Sequence, residues 1–415
     1  MTPSTILLAF VVLSLVDLGW SMALLALNYR EAGRRRGQLP PEAASGMSAE
    51  EALKAHDYSR ARMRLSFLAT PLTTFAVLAL AAAGAFGALD AAVGARVVSA
   101  YWRGVLFLGA LLLAQGVLSA PFDLYGTFVV EKRYGFNTTT ARTWLLDRLK
   151  GLLIGGALGL PLLFLLYAFI DRAGASWWLW AAAVFSAIDI VLSLLYPLLI
   201  APLFNKFSPL PEGSLKERIG DLAGKLSFRY GGIFVMDGSK RSRHSNAYFT
   251  GMGRLKRIVL FDTLIAQMSE DEVLAVLAHE IGHEKKRHVL KMTAIAVLFG
   301  FVAFWVLDRC MGWGALYAAF GFPGPSKHAL LLIVSLVAGP ATFFLTPLLA
   351  LLSRKHEYEA DAFAARATSG EAMGGALRKL NKENASNLWP HPLYAFWYYS
   401  HPTLRDRLAA IAKAG

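Results

Sequence analysis

The string His279-Glu280-Ile281-Gly282-His283 sets two imidazoles four residues apart, with a carboxylate next to the first. On a helix, positions i and i+4 share a face. Two imidazole nitrogens can then reach one zinc ion at about 2.0–2.1 Å. Glu280 lies one position on, beside such a metal and not on it. A carboxylate there can take a proton from an attacking water. The helix is announced upstream. Ser269-Glu270-Asp271-Glu272 fits a capping box, and Val273, Leu274, Val276 and Leu277 follow as apolar positions.

A catalytic zinc needs a third protein ligand and an open position. His288 is close in sequence, but the HExxHxxGxxH pattern requires glycine at 286 and histidine at 289. The chain has Lys286 and Val289 there. The better source is His356-Glu357-Tyr358-Glu359-Ala360-Asp361. Glu357 and Asp361 are spaced i, i+4 on a predicted helix, so both can face one site. Glu357 is the expected third ligand, and Asp361 is left to accept a hydrogen bond from a ligating histidine. Glu359 points away from that face and ranks lower as a ligand. The expected cofactor is one Zn2+ per chain, held by His279, His283 and Glu357.

The elements that must carry these groups are membrane elements. Of 415 residues, 55% are hydrophobic and 17% charged, with a mean hydropathy of +0.44. A soluble chain usually carries about a quarter charged residues. Seven stretches approach the roughly 20 apolar residues that cross a bilayer. They are Ser4–Leu27, Leu65–Leu89, Val105–Val130, Leu152–Ile170, Trp177–Phe204, Met292–Leu307 and Ala329–Leu352. The sixth is short and could be completed from the helix before it. The first is too long for a signal-peptide core and contains Asp17, so it reads as a retained span. Asp17, Asp123 and Asp189 are costly in lipid and should face the bundle interior or water.

Net charge is +13, and no nucleic-acid motif accompanies it. Lysine and arginine concentrate in alternate segments. Residues 30–64 carry 8, 131–150 carry 5, 205–291 carry 15 and 353–415 carry 9, against 2, 1 and 2 in the segments between. By the positive-inside rule the N-terminus is outside and the C-terminus cytoplasmic. The long polar segments then share the inner side. Four regions follow. They are spans one to five in 1–204, a catalytic segment in 205–291, spans six and seven in 292–352, and a second catalytic segment in 353–415. In the first catalytic segment, 205–211 is a turn-rich exit from the membrane and 214–228 a helix. Residues 233–236, 244–250 and 256–261 read as strands, the last two joined by a hairpin at Gly251-Met252-Gly253. The single cysteine, Cys310, excludes an internal disulfide.

Several stretches, in order, resemble the type I CaaX prenyl endopeptidases, a family of integral-membrane gluzincins. They are Glu131-Lys132-Arg133-Tyr134-Gly135-Phe136-Asn137, then Ser242 to Gly251 around His244-Ser245-Asn246-Ala247-Tyr248, then Ile258 to Leu264. HEIGH, Glu357 with Asp361, and Tyr399-Ser400-His401-Pro402 through Arg407 complete the set. The resemblance implies a ring of seven long helices around a chamber, with the zinc site at its inner end. It implies that Asn246 lies on the strand that aligns the substrate peptide. It also implies that His401 and Arg407 approach the scissile carbonyl or the substrate. Members of that family cut C-terminally prenylated peptides after the modified cysteine.

The expected fold is thus an all-α polytopic membrane protein with a gluzincin-like α+β catalytic domain on the cytoplasmic side. Its expected partners are a peptide or protein substrate and membrane lipid. Two other readings stay open. One is a quality-control metalloprotease with no prenyl requirement. The other is a non-enzymatic zinc-binding membrane protein, against which an intact Glu280 argues, since a carrier needs ligands but no base.

Overall fold

The computed structural model describes residues 1–43, 46–250 and 256–414. Among them, seven helical stretches are long and apolar enough to cross a membrane. They run Pro3–Arg34, Ala49–Ala82, Ala100–Glu131, Ala141–Arg172, Gly174–Phe204, His288–Met311 and Lys327–Ala367. Each matches one expected span and continues past it into polar sequence. The sixth is completed by its own residues from His288 onward. The preceding helix stops at Lys285, and Arg287 adopts φ 56°, which breaks the two apart. The second ends at Ala82, short of Leu89. Gly84 takes φ 67° there, a left-handed conformation that glycine adopts without strain, and a separate helix, Ala85–Gly94, follows.

Each span packs against the next in sequence, and the seventh returns to the first, so the spans close a ring. No more than 22% of any span's most apolar window is buried by the rest of the chain. Both faces of the ring's wall therefore stay open, one for lipid and one for the interior. At one end the ring is plugged by an apolar cluster that includes Phe10, Phe107, Trp177, Tyr317 and Phe320. Of the acidic residues in the spans, Asp17 accepts from Ser21 Oγ at 3.2 Å and Asp123 pairs with Arg148 at 2.6 Å. Asp189 is exposed.

At the other end the polar segments form a compact α+β unit. Its sheet holds β1 (Phe207–Pro209), β2 (Gly232–Met236), β3 (Ala247–Thr250) and β4 (Arg257–Phe261), in the order β1-β2-β4-β3. β2 and β4 are parallel, while β1 and β3 flank them antiparallel. The turn-rich reading of 205–211 missed β1, a three-residue strand ending in proline. Asn246 lies one residue before β3, not within it. The hairpin at Gly251-Met252-Gly253 lies outside the described residues. The helix Glu270–Lys285 packs on β3, and the helices Ser214–Lys225 and Gly370–Glu383 pack on that helix, around a core that includes Ile219, Leu260, Leu264, Leu277 and Ile281.

Candidate active site

The helix Glu270–Lys285 begins as expected. Ser269 Oγ accepts from the Glu272 amide, and the Glu272 carboxylate accepts from the Ser269 amide, closing the capping box. The helix lies against the polar extension of the seventh span, which carries Glu357 and Asp361. The close approach depends on Gly282. A Cβ there would stand 3.1 Å from Ala360 Cα and 3.2 Å from the Phe363 ring. The small residue inside the HEIGH string thus lets the carboxylates of one helix reach the imidazoles of the other.

His279, His283 and Glu357 each offer one ligand atom, all within 4.8 Å of one another. His279 Nε2 and His283 Nε2 are 3.1 Å apart. Glu357 Oε2 lies 3.5 Å from His279 Nε2, and Oε1 lies 3.3 Å from His283 Nε2. A tetrahedral ion with ligands at about 2.0–2.1 Å spaces them about 3.3–3.4 Å apart. The three donors already stand near that spacing. Glu357 Oε2 is buried with no hydrogen-bond partner, and a buried bare carboxylate oxygen is costly. The donor set therefore fits a divalent metal, and two nitrogens with one oxygen suit zinc.

The supporting groups are as specific as the ligands. Asp361, 1% exposed, sets Oδ1 2.8 Å from His279 Nδ1. Arg407 donates to Asp361 through Nε at 2.8 Å and Nη2 at 2.6 Å, and Nη2 is 3.5 Å from Glu357. Arg407, expected near the scissile carbonyl or the substrate, spends two of its donors on Asp361 behind the site. On the other ligand, His283 Nδ1 meets His288 Nδ1 at 3.0 Å, and His288 Nε2 meets Glu359 at 3.0 Å. His288 is buried and stacked on His356 at 4.0 Å. Glu359 stays off the three-donor set and stands at the end of this chain of imidazoles. Sequence reasoning tested His288 as a ligand and passed over it as a prop for one. A histidine five residues past HExxH was the available signal.

Burial raises the Glu280 carboxyl above its usual range, and the two neighbouring histidines only partly oppose this. A base near the working pH is the better proton acceptor. Burial pushes the His279 imidazole down, but the carboxylates of Asp361 and Glu357 beside it outweigh this and raise it to about 9. His401 places Nε2 3.4 Å from Glu357 Oε1, with its side chain largely exposed. His279, Glu280, Glu357, His401, Arg407 and Asn246 all line one cavity of about 750 Å³. Asn246 spends its side-chain oxygen on the Ala247 amide at 2.8 Å and its carbonyl on the Phe261 amide at 3.1 Å. Among the described residues β3 has no strand on its outer edge.

The same arrangement occurs in known proteins. Residues 28–206 match the model described as CAAX prenyl protease N-terminal, five membrane helices. Residues 209–414 match peptidase family M48. CAAX prenyl protease 1 of Saccharomyces cerevisiae is 35% identical over 93% of this chain and 91% of its own length. The chain belongs to peptidase family M48. The CAAX prenyl protease 1 homolog of Oryza sativa subsp. japonica is 39% identical over 74% of this chain and 73% of its own. The Homo sapiens homolog is 35% identical over 74% and 73%. The crystal structure of S. mikatae Ste24p superposes with a TM-score of 0.92 at 33% identity, covering 98% of this chain and 99% of that one. This family member is a multi-pass membrane metalloendopeptidase, with its helices and α+β unit arranged as in that structure.

Proposed function

We propose that the chain binds one zinc through His279, His283 and Glu357 and hydrolyses peptides prenylated near their C-terminus, cutting after the modified cysteine. The observation that carries the reading is the shared cavity. Two of the donors, His279 and Glu357, line it with Glu280 and the approach to the free edge of β3, and the third, His283, has its ligand atom within 4.8 Å of theirs. A metal held by these three residues would supply Lewis acidity, which would polarise the scissile carbonyl and acidify the attacking water.

The chain's own residues do the rest. β3 receives the substrate as an added strand, with Asn246 at the point where backbone pairing begins. Glu280 takes the attacking water's proton and delivers it to the leaving amine. His401, exposed to the cavity, donates to the carbonyl oxygen as negative charge develops there. Arg407 and Asp361 keep Glu357 and His279 in place. The distribution of lysine and arginine supports a cytoplasmic placement of this unit and the C-terminus.

The test is hydrolysis of a matched pair of peptides by the purified full-length chain, one farnesylated and one not. Cleavage of the farnesylated peptide after its modified cysteine, well above the other, supports the reading. Equal rates would leave a metalloprotease without a prenyl requirement.

A further inference from the structure

The cavity holds one cation that the chemistry above does not use. Of the charged groups lining it, Arg407 is bound to Asp361, and His279 and His401 approach Glu357. His244 sits 3.6 Å from Glu131. Arg62, from the second span, also lines the cavity, and among the described residues no carboxylate pairs with it. It is held all the same. Its Nη1 donates to Tyr58 Oη at 3.3 Å, and its guanidinium lies 5.7 Å from the centre of that ring. Tyr58 Oη in turn donates to Glu131 at 2.6 Å. The tyrosine thus points its hydroxyl proton at a carboxylate and leaves its lone pairs to the arginine. The remaining guanidinium donors are free to take an anion from the cavity.

Strand direction says which anion. β3 runs from Ala247 to Thr250, so its N-terminal side is Asn246, Ser245 and His244. The His244 ring lies 6.4 Å from the Tyr58 ring, which puts Arg62's holder beside that end. A peptide added antiparallel to β3 runs the opposite way, with its carboxyl end toward His244 and Tyr58. An extended tripeptide is about 10 Å long at roughly 3.3 Å per residue. A substrate cut three residues from its end thus carries its terminal carboxylate to the same side of the cavity.

We propose that Arg62, positioned by Tyr58, binds the free α-carboxylate at the C-terminus of a substrate cut near its end. The inference rests on the cavity being the peptide-cleaving site. It deepens that reading by naming the group that sets the distance from chain end to cut. A guanidinium fork on a carboxylate is a strong, directional pairing. Lysine in its place keeps the charge and loses the fork.

The experiment uses the full-length chain in lipid nanodiscs and two peptides of one sequence, ending in a free carboxylate or in a carboxamide. Each is made with and without a farnesyl group. The wild-type chain is expected to favour the acid over the amide by about 10–100-fold in kcat/KM, the worth of one charge-assisted hydrogen bond. The difference should lie mainly in KM. In Arg62→Gln the acid-to-amide ratio should fall to near one, and in Arg62→Lys to an intermediate value. Tyr58→Phe, which frees the guanidinium, should reduce it as well. Because the ratio is taken within each variant, a smaller folded fraction cancels. A wild-type ratio near one, or an undiminished ratio in Arg62→Gln, would overturn the proposal. The farnesyl arms report separately. Indifference to the farnesyl group would sink the prenyl reading and leave a carboxylate preference standing.

Discussion

Replacing Asp361 with alanine separates two jobs that one carboxylate performs. Asp361 is 1% exposed and receives Arg407 through two hydrogen bonds, at 2.8 and 2.6 Å. Removing one partner of a buried ion pair costs about 3–5 kcal/mol, because the other charge is left buried and unmatched. Here that charge is Arg407, whose side chain is 13% exposed. Glu357, 3.5 Å away, offsets part of the loss, so the lower end of the range is expected. Asp361 also faces His279 Nδ1 at 2.8 Å. Losing such a partner behind a metal ligand costs about 10–100-fold in metal affinity. The two effects come apart in the double variant Asp361→Ala/Arg407→Leu, where the unmatched charge is gone but His279 still lacks its acceptor. Thermal unfolding of the metal-free proteins measures the first effect, and zinc competition against a chelator the second. The single variant should lose both, and the double variant should regain stability without regaining affinity. Wild-type zinc affinity in Asp361→Ala would refute the role of this carboxylate behind His279. A double variant no more stable than the single would refute the buried-charge argument.

Three further outcomes follow from the same geometry. Glu357→Ala should weaken zinc binding severely, whereas Glu359→Ala, which leaves all three donors in place, should weaken it far less; chelator competition ranks them. Zinc and a proton compete for His279, held at about 9 against an ordinary 6.5, so zinc affinity should rise about tenfold per pH unit from pH 6.5 toward 9 and level off above. The metal-free protein should show the opposite trend: the proton's contribution to stability is complete below pH 6.5 and lost as pH rises through about 9. In a Cys310→Ser background, single cysteines at Glu50, Lys225 and Glu371 should label from the cytoplasmic face and one at Ala91 from the other; opposite-face labelling of Lys225 and Glu371 would contradict the shared inner side.

Local signals made much of this legible. The HEIGH string and its capping box lie on one continuous helix, and Glu357 and Asp361 share one turn of another, so spacing alone assigns their faces. The seven spans stand out because lipid demands long unbroken apolar runs. What escaped was set by single backbone angles or by distant contacts. The second span stops early because Gly84 turns left-handed within an alanine-rich run. The separation of the sixth span from the motif helix depends on the φ of Arg287. β1 is three residues long and exists only through pairing with β2. Arg407 was placed near the site by resemblance, but its hold on Asp361 spans 46 residues of sequence. The set of Arg62, Tyr58, Glu131 and His244 joins two spans and the segment leading into β3, and no local pattern announces it.

The central claim is that this family member is a metal-dependent peptidase whose base is Glu280. Glu280→Gln tests it most directly, since glutamine keeps the shape but cannot accept the water's proton. Zinc content and farnesylated-peptide turnover are measured on the same purified preparation. The account predicts wild-type zinc occupancy with turnover reduced by at least about 10²–10⁴-fold. Turnover near wild type with zinc in place would contradict it.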